Sequence, residues 1–207
     1  MTESIIIIDF GSQVTKLIAR RIREFGVFSQ IVPFNKVTKK LLGNNSVKGI
    51  IFSGGPKSVH EKNSPKIDDY IYELEIPILG ICYGLQLIAK QFGGKIIPSR
   101  DREFGKTKIK LTKKSPLLEN VIFPNKQVQV WMSHSDKISI IPNSFEKIAS
   151  SDNCEFAVIQ NQKKKIYGVQ FHPEVVHTIG GTKILKNFIR NICGCSAKWN
   201  MKFFKKK

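Results

Sequence analysis

Ile76-Pro77-Ile78-Leu79-Gly80-Ile81-Cys82-Tyr83-Gly84-Leu85-Gln86-Leu87-Ile88-Ala89-Lys90-Gln91-Phe92 reads as a buried strand, a tight turn and a helix in direct succession. Ile76 to Ile81 is a short apolar run, and the residues from Leu85 on carry the spacing of a helix. A small–x–nucleophile–x–small turn between strand and helix is the sequence form of a nucleophile elbow. Its flanks must be glycine or nearly so, and it lifts the central side chain above the sheet. The helix turns its positive N-terminal end toward the sulfur, an arrangement that favours negative charge there. Cys82 therefore reads as a reactive cysteine.

The same grammar runs upstream. Ile5-Ile6-Ile7-Ile8 is a buried strand by composition, and Asp9-Phe10-Gly11-Ser12 is a turn. Val14 to Phe25 has helical spacing through Leu17, Ile18, Ile22 and Phe25, with Gly26 placed to end the helix. Val27 to Val32 and Gly49 to Phe52 are further strands, the second ending in Ser53-Gly54-Gly55-Pro56. A helix is expected over Ile67 to Leu74, and the helix after the elbow should stop at Gly93-Gly94. Apolar strands alternating with helices imply a parallel sheet covered on both faces.

The second half differs. Thr107 to Leu111, Gln127 to Met132, Phe156 to Gln160 and Ile166 to Phe171 are strand-like with few helices between them, so the sheet should acquire an antiparallel extension. Lys163-Lys164-Lys165 falls at a hairpin turn, and a last helix, Thr182 to Ile192, precedes Cys193-Gly194-Cys195. The expected organisation is one α/β domain over residues 1–192 and a linker-like tail over 193–207.

A chain of 207 residues with 41% hydrophobic content can bury a full sheet-and-helix core. No apolar run approaches the ~20 residues needed to span a bilayer. Met1-Thr2-Glu3-Ser4-Ile5 lacks the basic start of a signal peptide, so the expected location is cytoplasmic. Four cysteines do not suggest a disulfide scaffold in a chain this long. Cys193-Gly194-Cys195 has no second pair at ligand spacing, so no metal site is expected. The net charge of +18 raises the question of nucleic acid. Only Arg20, Arg21, Arg23, Arg100, Arg102 and Arg190 of the 34 basic residues are arginine, and the lysines are scattered. Nucleic-acid recognition favours arginine forks with interleaved aromatics, so the charge reads as a lysine-rich solvated surface.

Cys82 needs a base. Of His60, His134, His172 and His177, His172 stands out in Gly168-Val169-Gln170-Phe171-His172-Pro173-Glu174, at the end of an apolar strand. His172 and Glu174 are two apart, so in an extended segment both project to one side, and Pro173 disfavours helix there. A carboxylate holding one imidazole nitrogen while the other faces a thiol is triad logic. The backbone N–H of Tyr83 is one oxyanion donor by the geometry of the elbow, and the Gly54-Gly55 turn can aim a second. A phosphate loop fits Ser53-Gly54-Gly55-Pro56 poorly, because Pro56 removes a donor and no Gly-Lys-Ser/Thr ending follows.

Gly80-Ile81-Cys82-Tyr83-Gly84-Leu85-Gln86 with His172-Pro173-Glu174 resembles the class I, triad-type glutamine amidotransferase domain. Asp9-Phe10-Gly11-Ser12-Gln13, Ser53-Gly54-Gly55-Pro56-Lys57-Ser58-Val59, Arg102-Glu103-Phe104-Gly105, Trp131-Met132-Ser133-His134, Val175-Val176-His177-Thr178 and Ile192-Cys193-Gly194-Cys195 with Trp199 resemble, more narrowly, the amidotransferase half of GMP synthases. The resemblance implies a three-layer class I amidotransferase fold. It also implies that Cys82 attacks the side-chain amide of glutamine, His172 protonates the departing ammonia and Glu174 orients His172. Gly55 and Tyr83 would supply the oxyanion donors, and Gln86, Ser133 and His134 would line the glutamine pocket.

The resemblance has departures. Ser135 stands where the family usually has glycine before Asp136, and Val14 replaces a usual tyrosine. No Ser-Gly-Gly-x-Asp-Ser loop of an ATP-pyrophosphatase domain is present, so ATP and magnesium would belong to a synthetase chain in trans, and no cofactor is expected here. The run through Trp199 to Phe203-Phe204-Lys205-Lys206-Lys207 looks like the start of a link to such a domain. The alternative expectation is a truncated relative that is idle or serves only as a binding partner.

Overall fold

Four consecutive isoleucines within one strand must point alternately to opposite faces of a sheet. In the computed structural model, which describes residues 2–200 (the side chains of 100–102 aside), β1 (Ser4–Asp9) does this. Ile5 and Ile7 join a core cluster with Ile18, Ile22, Ile184 and Phe188, while Ile6 and Ile8 join a second with Phe52, Leu85 and Ile88. All four isoleucines are at most 1% exposed, and each such burial contributes about 1.5–3 kcal/mol. The sheet is therefore the middle of three layers.

The first layer-forming helix is α1 (Thr15–Glu24), followed by β2 (Phe28–Pro33), the single turn α2 (Lys39–Leu42), β3 (Val47–Phe52) and β4 (Ile78–Ile81). Then come α3 (Tyr83–Gln91), β5 (Lys95–Leu111), β6 (Gln127–Ile140), β7 (Glu146–Ser150), β8 (Val158–Asn161), β9 (Ile166–Val169) and α4 (Gly181–Asn187). Among the described residues one nine-stranded sheet runs β2-β1-β3-β4-β9-β8-β7-β5-β6. Its first five strands are parallel, and the other four extend it antiparallel. No described helix is long and apolar enough to cross a membrane.

Several elements depart from the sequence reading, among them β5, which begins at Lys95 and not at the expected Thr107, and the unexpected turn α2. The helix expected over Ile67 to Leu74 is a 3-10 segment, Asp69–Glu73. The Ile67 carbonyl, which an α-helix would give to Ile71, accepts instead from Gln91 Nε2 at 2.8 Å, and the Ile71 N–H turns to Asp68. The strand expected to stop at Met132 continues to Ile140 with unbroken alternation. Its next inward residues are His134 and Asp136, whose polarity hides the period from an apolar count. β7 was not expected at all. The last helix is found, α4 passing into a wider π turn at Phe188–Ile192.

The C-terminal segment packs against the start of the chain as far as it is described. Ser196 donates through its N–H and Oγ to the Glu3 carboxylate, and the Trp199 N–H donates to the Gly26 carbonyl. The expected tail beyond Asn200, including Phe203 to Lys207, lies outside the described residues.

The ends of β1 and β3 are tied by one hydroxyl. Ser53 Oγ, fully buried, accepts from the Phe10 N–H at 3.0 Å and donates to the Gly54 carbonyl at 2.8 Å. Ser53→Ala leaves that N–H unsatisfied and is expected to cost about 1–3 kcal/mol. The check is the urea midpoint, and an unchanged value would contradict the role given to this hydroxyl.

Candidate active site

β4 delivers Cys82 to the carboxyl edge of the parallel strands. The Cys82 N–H donates to the Val169 carbonyl of neighbouring β9 at 2.8 Å, and two residues on, Gly84 N–H donates to the Ser53 carbonyl at the end of β3. Between these ties the backbone of Cys82 is forced to φ 51°, ψ −106°. A positive φ at a residue with a side chain stores strain of about 1–3 kcal/mol. This is the expected elbow, with Cys82 as the residue that caps α3.

His172 is set from the other side. Its N–H donates to the Trp131 carbonyl at 3.0 Å, and its own carbonyl accepts from Thr178 Oγ1 at 2.6 Å. Nδ1 meets Glu174 Oε1 at 2.8 Å, and the ring is hydrogen-bonded to Cys82. Glu174 is 1% exposed and its Oε2 has no partner among the described residues, so its charge is directed at the imidazole. Cys82, His172 and Glu174 are thus brought together.

Burial opposes charge on His172. The hydrogen bonds to Cys82 and Glu174 outweigh it and push the pKa from an ordinary 6.5 up to about 10. Stability from a pKa raised on folding is fully present below about 6.5 and lost as pH rises through about 10. His172→Asn is therefore expected to cost more stability near pH 6 than above pH 10, read from urea midpoints at both. Equal costs would show that His172 is not held as an imidazolium.

Two recesses flank the sulfur. One of about 330 Å³ is bounded by Gly11, Val14, Trp131, His172 and Val175, and one of about 180 Å³ by Tyr83, Gln86, Phe104, His134 and Asp136. Both reach Gly55, Pro56, Cys82 and Ser133. A Cβ at Gly54 would lie 3.1 Å from His172 Cε1 and 3.7 Å from Cys82 Cβ, and one at Gly55 would lie 2.7 Å from the Phe10 carbonyl. Only glycines let this turn pack so closely against His172 and Phe10. The Tyr83 N–H belongs to the first turn of α3, where no helical acceptor exists for it.

The remaining expected residues sit around the smaller recess. The Ser133 carbonyl accepts from the Cys82 thiol at 3.4 Å. Gln86 is buried with Nε2 on the Asp136 carbonyl at 2.8 Å. His134 is held at both nitrogens, Nδ1 by the Asp136 carbonyl at 3.0 Å and Nε2 by Glu103 at 3.2 Å. It therefore borders the recess as a brace for β6. Ser135 is exposed and extended within β6, a conformation any residue adopts, so the departure from glycine carries no backbone strain.

Glu103, His134 and Cys154 present ligand-type atoms within 4.8 Å of one another. Glu103 also accepts from Ser151 Oγ at 3.0 Å, so the cluster's own hydrogen bonds already satisfy it. Sequence reasoning quoted Glu103, His134 and Thr178 within motifs but did not join the first two with Cys154, and it gave no individual role to Gln170 or Thr178. Thr178 joins Trp131 to His172 by accepting from one backbone and donating to the other.

A strained cysteine elbow hydrogen-bonded to a His–Glu pair at the carboxyl edge of an α/β sheet is the arrangement of cysteine-nucleophile amide-cleaving enzymes. The chain belongs to the class-I glutamine amidotransferase family, whose model matches residues 6–192. It is 50% identical over 202 residues to a GMP synthase (glutamine-hydrolysing) of Caldicellulosiruptor saccharolyticus, covering 98% of this chain and 39% of the relative. The corresponding protein of Brachyspira hyodysenteriae is 48% identical, with 98% and 38% covered. The chain thus spans about two-fifths of the length of these curated relatives. Among solved structures, a GMP synthase component from Thermoplasma acidophilum superposes with a TM-score of 0.78 at 31% identity, covering 100% of this chain and 99% of that one. A glutamine amidotransferase of Thermotoga maritima shares the fold, with a TM-score of 0.69 at 19% identity, covering 100% of this chain and 87% of that one.

Proposed function

We propose that this chain hydrolyses glutamine to glutamate and ammonia through Cys82, His172 and Glu174, and that the ammonia serves a synthetase in trans that aminates XMP to GMP. The observation that carries the reading is the hydrogen-bonded series Cys82–His172–Glu174 at a strained elbow. The similarity to glutamine-hydrolysing GMP synthases supports glutamine as the amide and the synthetase as the consumer.

The thiol proton passes to His172 to give the attacking thiolate beside an imidazolium. The sulfur attacks the glutamine side-chain carbon, and the backbone N–H groups of Tyr83 and Gly55 receive the developing oxyanion. His172 gives its proton to the nitrogen as the C–N bond breaks, releasing ammonia and a γ-glutamyl thioester. Neutral His172 then takes a proton from water, the hydroxide attacks the thioester, and glutamate leaves as thiolate and imidazolium return. Gln86, Ser133 and His134 shape the recess for the glutamine chain. These steps use side chains and water, and ATP with magnesium is assigned to the synthetase.

Phe104, 63% exposed, lines the smaller recess and gives its mouth an apolar rim that suits a docking partner. The test is release of glutamate from L-glutamine by the purified protein, with and without an ATP-pyrophosphatase chain, ATP and XMP. Release that rises on adding the partner supports the reading. A folded protein that releases none in either condition overturns it.

A further inference from the structure

Gln170 is fully buried two residues before His172, and no step above uses it. Its amide orientation follows from a backbone group. The Asp136 carbonyl can only accept, so the Gln86 atom 2.8 Å from it is the NH2 group. That group also approaches Gln170 at 3.2 Å, so the Gln170 atom facing it is Oε1. The other end of the amide, Nε2, is then turned to Cys82 Sγ at 3.7 Å. Asp136, Gln86 and Gln170 form a one-way relay that begins on β6 and ends with an N–H on the sulfur.

We propose that Gln170 is a catalytic residue, a fixed hydrogen-bond donor that stabilises negative charge on the Cys82 sulfur before attack and again when the sulfur leaves. The proposal rests on Cys82 being the nucleophile and is independent of which amide is cleaved. An N–H aimed by a buried relay needs no reorganisation when the charge forms, which is the condition under which such donors count most. The other groups at the sulfur are His172 with Glu174 behind it and the Ser133 carbonyl, and Cys154 belongs to the same buried cluster as Cys82. Of these, only His172 gives it a proton donor.

The experiment is the pH profile of Cys82 alkylation by iodoacetamide, located by peptide mass, in the wild type, Gln170→Glu, Gln170→Met and Gln86→Met. Thermal melting is recorded for each. Gln170→Glu keeps the shape and still accepts from Gln86 but turns an anion toward the sulfur. It is expected to slow alkylation at neutral pH by about tenfold or more, moving the profile up by about one unit. Gln170→Met and Gln86→Met should give smaller shifts in the same direction. A folded Gln170→Glu protein with the wild-type profile overturns the proposal. If that variant does not fold, a wild-type profile in Gln86→Met does so. Shifted profiles in a protein that fails to hydrolyse glutamine would leave Gln170 standing and remove the proposed function. Glutamine hydrolysis with unshifted profiles would do the reverse.

Discussion

Cys82→Ala is expected to reduce glutamate release by at least about a thousandfold, the scale on which loss of a covalent nucleophile is felt. No other thiol can replace it. Cys154 is fully buried, and that burial pushes its pKa up to about 12. Cys195 is pushed up to about 11, again mainly by burial, and burial raises Cys193 as well. The variant should stay folded, because the ties that shape the elbow come from backbone groups at Cys82 and Gly84. Cys82→Gly gives a second reading of the same position. Glycine tolerates φ 51°, ψ −106°, so this variant should melt above Cys82→Ala although it removes one more carbon. Full hydrolysis by Cys82→Ala would remove the thioester route, and a lower melting point for Cys82→Gly would remove the strain.

The triad was legible because each member announces itself locally. Cys82 has its flanking glycines, and His172 and Glu174 have the period-two spacing after a buried strand. The same spacing continued one step back would have found Gln170, but a glutamine has no titration to draw attention to it. His134, Asp136 and Glu103 were harder for a different reason. They lie on the buried face of the β5–β6 ribbon, and polar residues there interrupt the apolar alternation by which a strand is recognised. Sequence patterning therefore lost β6 where it borders the smaller recess. The 3-10 segment Asp69–Glu73 failed as a helix through a non-local bond, the Gln91 amide on Ile67, which no local pattern contains. Ser135, a departure from the family pattern, proves to be ordinary extended backbone.

Gly84→Ala is expected to have the second-largest effect, on stability and catalysis together. A Cβ at this position would lie 2.5 Å from the Phe52 carbonyl oxygen and 2.6 Å from Phe52 Cβ. Neither can move aside. Phe52 ends β3, its side chain is fully buried, and it packs edge-on against Phe10 with ring centroids 5.6 Å apart. The methyl must instead push the first turn of α3 off the sheet, at an overpacking cost of about 1–3 kcal/mol. That turn carries Cys82 at its cap and the Tyr83 N–H beside it, so the displacement also misaims the nucleophile and an oxyanion donor. A misplacement of about 1 Å can lower the rate by a hundredfold. Gly93→Ala provides the contrast. It adds strain at φ +86° but meets no atom within 4 Å, and it lies at the far end of α3. It should lose about 1 kcal/mol of stability and no activity. Urea midpoints with glutamate-release rates for both variants separate the two effects. Equal activity losses would mean that the elbow responds to the stability of α3 as a whole, and not to the contact between Gly84 and Phe52.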